Sequence, residues 1–77
     1  MSDTGQGRPA GSERLSVTLI SSAVQAIARL MNIYGLSKTD AINRSVQVYA
    51  FLAEEMASGK EVLLRDAEGN VERVRIV

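Results

Sequence analysis

At 77 residues and 8.3 kDa, the chain is one domain at most. With no Cys and no His, it cannot form a disulfide or a thiolate metal site, and it lacks a cysteine nucleophile, the commonest metal ligand and the usual general base near neutral pH; no enzyme activity, metal or cofactor is expected. Nine basic side chains cancel nine acidic ones, and a core of Val, Leu, Ile and Ala with 4% aromatics is thin at this length, so support from a partner subunit is expected.

Residues 1–12 (MSDTGQGRPAGS) hold three Gly, one Pro and almost nothing to bury, and they read as a disordered N-terminal arm. From Glu13 to Ile20 the character changes. Leu15, Val17 and Leu19 alternate with Arg14, Ser16 and Thr18, the period of two expected of a strand with one buried face. Ile20 breaks the alternation and is assigned to the following turn.

A first helix is expected from Ser21 or Ser22, either of which could cap its free N–H groups. Val24, Ile27, Ala28, Met31 and Tyr34 form its apolar stripe, flanked by Leu30, and Gly35 is the stop. A second helix opens at Ser37, where Ser37-Lys38-Thr39-Asp40 fits a capping box. Its stripe is Ile42, Val46, Tyr49, Ala53 and Met56, widened by Ala41, Val48 and Leu52, and Gly59 is expected to end it. Phe51 points almost opposite that stripe at about 100° per residue. It is either a lone exposed aromatic or the seat of another element.

Residues 60–77 supply a candidate for that element. Glu61 to Arg65 and Val71 to Val77 are rich in β-formers on either side of Asp66-Ala67-Glu68-Gly69-Asn70, which reads as a hairpin turn. A lone hairpin is marginal in water, so its apolar face is expected to pack on the helices, with Phe51 a reasonable contact, or to meet another protein.

The zero net charge conceals a division. Residues 8–53 carry Arg8, Arg14, Arg29, Lys38 and Arg44 against Glu13 and Asp40, a net of +3. Residues 54–77 carry Lys60, Arg65, Arg73 and Arg75 against Glu54, Glu55, Glu61, Asp66, Glu68 and Glu72, a net of −2. Glu54 and Glu55 are neighbours on a helix and diverge by about 100°, so they do not pair over one substrate. No apolar run approaches the roughly 18 residues of a membrane span, and no leader pattern is evident, so a soluble cytoplasmic protein is expected.

One strand followed by two helices cannot complete a sheet alone. Pairing with the same strand of a second copy would satisfy its backbone and put Arg14, Ser16 and Thr18 of both chains on one outward face. Such a ribbon fits the major groove of DNA.

The run Arg14-Leu15-Ser16-Val17-Thr18-Leu19, followed at a set distance by Gly35-Leu36-Ser37-Lys38-Thr39, resembles the ribbon-helix-helix repressors of the MetJ/Arc superfamily, and most of all the small CopG-type repressors. The resemblance spans about residues 13–58, within an expected DNA-binding and dimerisation domain of residues 13–59. It implies a mainly α protein with short β elements, an intertwined homodimer joined by an intermolecular antiparallel ribbon, with the C-terminal β-hairpin outside the shared fold. It also implies a sequence-specific transcriptional repressor of bacterial, plasmid or phage type, acting on double-stranded DNA at a short palindromic operator. Arg14, Ser16 and Thr18 would contact bases, with Arg14 suited to a bidentate bond to guanine. Ser37, Lys38 and Thr39 would hold a phosphate, with Arg8 reaching the backbone from the arm. Leu15, Val17, Leu19, Ile42, Val46 and Tyr49 would build the dimer core.

Two other readings stand beside this one. In the first, the same fold serves as an antitoxin whose residues 60–77 bind a toxin. In the second, the chain is an adaptor that binds proteins and not DNA.

Overall fold

The computed structural model describes residues 11–76. It is mainly helical with short β: α1 covers Ser21–Tyr34, α2 Lys38–Ala57, β1 Val62–Arg65 and β2 Val71–Val74.

Residues 11–20 form neither helix nor strand. The strand expected over 13–20 is therefore not formed within one chain. A strand is made by its neighbour's N–H and C=O groups, and the only sheet among the described residues is the two-stranded β1–β2 pair. The apolar positions of the alternating run stay open, with Leu15 75% and Val17 67% exposed. The arm is assigned to residues 1–12, of which 1–10 lie outside the described residues.

The start of α1 differs from expectation. Ile20 occupies the N-cap in an extended conformation, and its carbonyl accepts the N–H groups of Ala23 and Val24 at 3.0 and 3.1 Å. No side chain caps this helix, so Ser21 and Ser22 lie inside its first turn and do not act as caps. The end matches expectation: Gly35 adopts φ 65°, ψ 36°, the left-handed conformation a Cβ disfavours, and the N–H of Leu36 returns to the Met31 carbonyl at 3.2 Å.

Ser37 caps α2 by accepting the N–H of Asp40 on its hydroxyl at 3.1 Å. At the other end the helix closes at Ala57, two residues before the expected stop, with Ser58 as cap. Gly59, at φ 97°, donates its N–H to Met56 at 3.0 Å, and Lys60 donates to Glu55 at 3.2 Å. That reciprocal pair of bonds satisfies carbonyls the helix would otherwise leave free, and it needs Gly one position past the cap.

The two helices meet along a narrow seam. Ala41 is the buried hydrophobic residue among those described, and its small side chain lets the helices approach. Half-buried Ala23, Ile27, Leu30 and Met31 on α1 lie on the same side as half-buried Ile42, Ser45, Leu52 and Met56 on α2. The seam is rotated from the expected stripes, so Val24 and Tyr34 on α1 and Val46 and Tyr49 on α2 remain exposed.

The hairpin pairs Val62 with Val74, Leu63 with Arg73, Leu64 with Glu72 and Arg65 with Val71. Val62, Val74 and Ile76 line a cleft of about 260 Å³ with Met56 at the end of α2. Phe51 is not the hairpin's seat, since it is 60% exposed.

Candidate nucleic-acid interface

The base-reading candidates Arg14, Ser16 and Thr18 are all exposed, on a segment that no other described part of the chain pairs with. They alternate with the exposed apolar set Leu15, Val17 and Leu19. Polar and apolar side chains thus interleave along a stretch of backbone that joins no sheet among the described residues.

The phosphate candidates sit where expected, at the start of α2. Ser37 spends its hydroxyl on the Asp40 N–H, which leaves the N–H groups of Lys38 and Thr39 at the positive end of a 20-residue helix. Asn43 donates to the Thr39 carbonyl at 2.8 Å, so the first turn is held from both sides. Arg8, proposed to reach backbone phosphate, lies outside the described residues.

Charge pairing divides the molecule. The two ion pairs among the described residues are Lys60 with Glu55 and Arg73 with Glu61 at 2.7 Å, both in the second half of the chain. Arg14, Arg29, Lys38 and Arg44 have no carboxylate partner among the described residues. These four cations are therefore available to an outside anion, whereas part of the later charge is spent internally.

The dimer-core candidates divide as well. Ile42 is half-buried, while Val46, one turn on, is 63% exposed and Tyr49 is also open. Tyr49 lines an open groove of about 610 Å³ with Leu30, Tyr34, Leu36, Ala41, Val48 and Leu52. Ser45 lies in this groove without an unmet polar group, because its hydroxyl bonds the Ala41 carbonyl at 2.7 Å. Arg44 stands at the rim. Leu36 and Arg44 escaped the periodicity argument. Leu36 follows the Gly35 stop, where an apolar residue commonly folds back on the helix, and that signal could have placed it.

In the hairpin, Asp66 organises the turn. One carboxylate oxygen accepts the N–H groups of Glu68 and Asn70 at 3.0 and 2.9 Å, and the other accepts the Asn70 side-chain amide at 3.0 Å. Those bonds, the side-chain amide first, hold its carboxyl below the usual aspartate range.

No group of three or more metal-ligating side chains occurs among the described residues, and no helix is long and apolar enough to cross a membrane. Comparison with protein-family models, curated proteins and solved structures finds no match to this chain.

Proposed function

We propose that the chain is a ribbon-helix-helix DNA-binding repressor that works as a homodimer. The observation that carries this reading is the pairing of two incomplete surfaces in one chain. Residues 14–19 alternate exposed apolar and polar side chains and join no sheet among the described residues, and the helical pair that follows them leaves an apolar groove open. A second copy completes both at once. Two antiparallel segments form a ribbon whose Leu15, Val17 and Leu19 face the helices of both chains, with Val46 and Tyr49 closing the groove.

The opposite face of that ribbon carries Arg14, Ser16 and Thr18 from each chain. A two-stranded ribbon fits the major groove, where the Arg14 guanidinium suits the two acceptors of guanine and the hydroxyls serve several bases. The N-terminus of α2, with Lys38, supplies a phosphate anchor that fixes orientation without reading sequence. The unpaired cations of the first half of the chain support an anionic partner.

Gel-shift titration against operator DNA selected from a genomic library tests this reading. Arg14→Ala is expected to cost about 1–3 kcal/mol and to relax base preference at one position per half-site. Lys38→Ala is expected to weaken all sequences alike and to flatten the salt dependence by roughly one unit of slope per lost phosphate contact. Unchanged affinity and selectivity in the Arg14 variant would remove the base-reading assignment. Absence of binding to any DNA at low salt would leave the adaptor reading in its place.

A further inference from the structure

The hairpin carries an edge whose sequence is complementary to itself. Among the described residues, β1 has β2 on one side and no strand on the other. The Asp66 N–H bonds the Asn70 carbonyl at 2.9 Å, which sets the phase of the ladder. In an antiparallel pair the bonded positions alternate, so Leu64 and Val62 direct their backbone groups at β2. Glu61, Leu63 and Arg65 direct theirs outward to the open edge. Such a row of free N–H and C=O groups is a template for another strand unless Pro, Lys or a bulge blocks it, and residues 61–65 have none of these.

The charges say which strand fits. Two copies of β1 related by a two-fold axis pair antiparallel, and the axis must pass through a residue for the two faces to coincide. With the axis at Leu63, Glu61 lies opposite Arg65 of the second copy, Arg65 opposite Glu61, and Leu63 opposite itself. On the other face, Val62 meets Leu64. Every outward-directed backbone group is then bonded, and every charge faces its opposite. Moving the axis to Val62 or Leu64 breaks the charge match.

The open edge of β2 offers no such solution. An axis at Glu72 sets two carboxylates together, one at Arg73 sets two guanidiniums together, and one at Val74 sets Arg73 against Arg75. Within a single chain Glu61 already pairs with Arg73, while Arg65 has no carboxylate partner among the described residues. Leu63 and Leu64 are both exposed.

We propose that β1 is an assembly edge, joining the hairpins of two copies into a four-stranded antiparallel sheet centred on Leu63. This contact is separate from the groove between α1 and α2. Used together, the two contacts link dimers into larger assemblies, which would place successive dimers side by side on adjoining sites.

Sedimentation velocity of the full chain over a range of concentrations tests it. The wild-type chain is expected to double its assembly mass through this edge. Glu61→Arg and Arg65→Glu each place like charges across the axis, and each alone is expected to weaken that step roughly tenfold or more. In an equal mixture of the two variants, the arginines of one chain face the glutamates of the other at both ends of the contact, and the step is expected to be restored. Leu63→Lys and Leu63→Glu repeat the experiment without touching the Glu61–Arg73 ion pair: each alone repels itself on the axis, and their mixture restores pairing. Single variants that associate like wild type, or mixtures that fail to recover, overturn the proposal. If the groove does not dimerise, the same series reads one chain against two instead of two against four, so failure of one contact is told apart from failure of the other.

Discussion

The two halves of the molecule solve the same problem in opposite ways. In the hairpin, every paired strand residue finds its neighbour within about a dozen positions, and Asp66 closes the turn with three bonds of its own. Residues 11–57 are locally well made, with clean helix ends, yet they leave Leu15, Val17, Val46 and Tyr49 in water, and residues 14–19 join no sheet among the described residues. Apolar surface exposed at this scale in a small domain marks an interaction site more readily than a defect. The contrast separates what one chain can complete from what needs a second. The hairpin completes its strand pairing within one chain, whereas the helical half leaves apolar side chains exposed that the proposed second copy would cover.

The largest test of that contrast is Val46→Glu. In a lone chain this position is exposed, and a substitution there should change stability by about 0.5 kcal/mol or less. In a core shared by two chains, it buries a carboxylate without a partner and is expected to cost about 3 kcal/mol or more. Urea unfolding at two protein concentrations separates the cases. The wild-type midpoint should rise with concentration, and the variant's should not. A variant that unfolds like wild type would mean that the groove is not shared. Leu63→Glu, in the other half, should leave the unfolding midpoint nearly unchanged at concentrations below those at which the β1 edge associates, because its exposed side chain supports no core within one chain.

A smaller effect tests whether the helical half is as well made locally as it looks. Gly35 sits at φ 65°, and a Cβ built there meets nothing within 4 Å. The cost of Gly35→Ala is therefore purely conformational, about 1 kcal/mol, and should appear equally at all protein concentrations. A much larger loss would point to crowding at the α1–α2 turn from a second chain, and would tie the turn to the shared interface.

What could be read in the sequence follows the same division. Gly35, the Ser37 cap and the Asp66-to-Asn70 turn are set by backbone preferences of a few adjacent residues, and all three stand where those preferences put them. The faces of the helices were less legible. Helical periodicity marks a wide apolar arc on α2 but does not say which part meets α1 and which part remains for another surface. Ala41 took the seam because a small side chain permits close approach, which left Val46 and Tyr49 outside. The start of α1 misled for a related reason. Two serines suggest a cap, but the chain enters the helix through extended Ile20, whose carbonyl already accepts two N–H groups. The strand expected over 13–20 has no pairing partner among the described residues, and in the proposed dimer its neighbour would lie in a second chain, where no local signal reaches. The same limit applies to the interface candidates: exposure and alternation single out Arg14, Ser16 and Thr18, while their arrangement on a common surface would follow only from the proposed partner strand.

The smallest expected effect lies in the hairpin and concerns pH. Bonding in the folded turn lowers the Asp66 carboxyl from its ordinary value of 3.8. A group whose folded pKa is depressed lends stability that is fully present above the unfolded value and is lost as pH falls through the folded one. The turn should therefore hold at neutral pH and loosen only in acid, starting near and below the ordinary aspartate range. Because Asp66 is at the surface, its protonation should loosen the turn and leave the helices folded. Hydrogen exchange at the Glu68 and Asn70 amides reads this directly, since both donate to Asp66. Their protection should fall on acidification after correction for intrinsic rates, while that of Asp40, donating to the Ser37 hydroxyl, should not. Asp66→Asn keeps an acceptor oxygen but removes the charge, and should lower protection of the turn at neutral pH and abolish its acid dependence. If the Asp40 amide lost protection in step with the turn, the two halves would open together, and the hairpin would be part of the same cooperative unit as the helices.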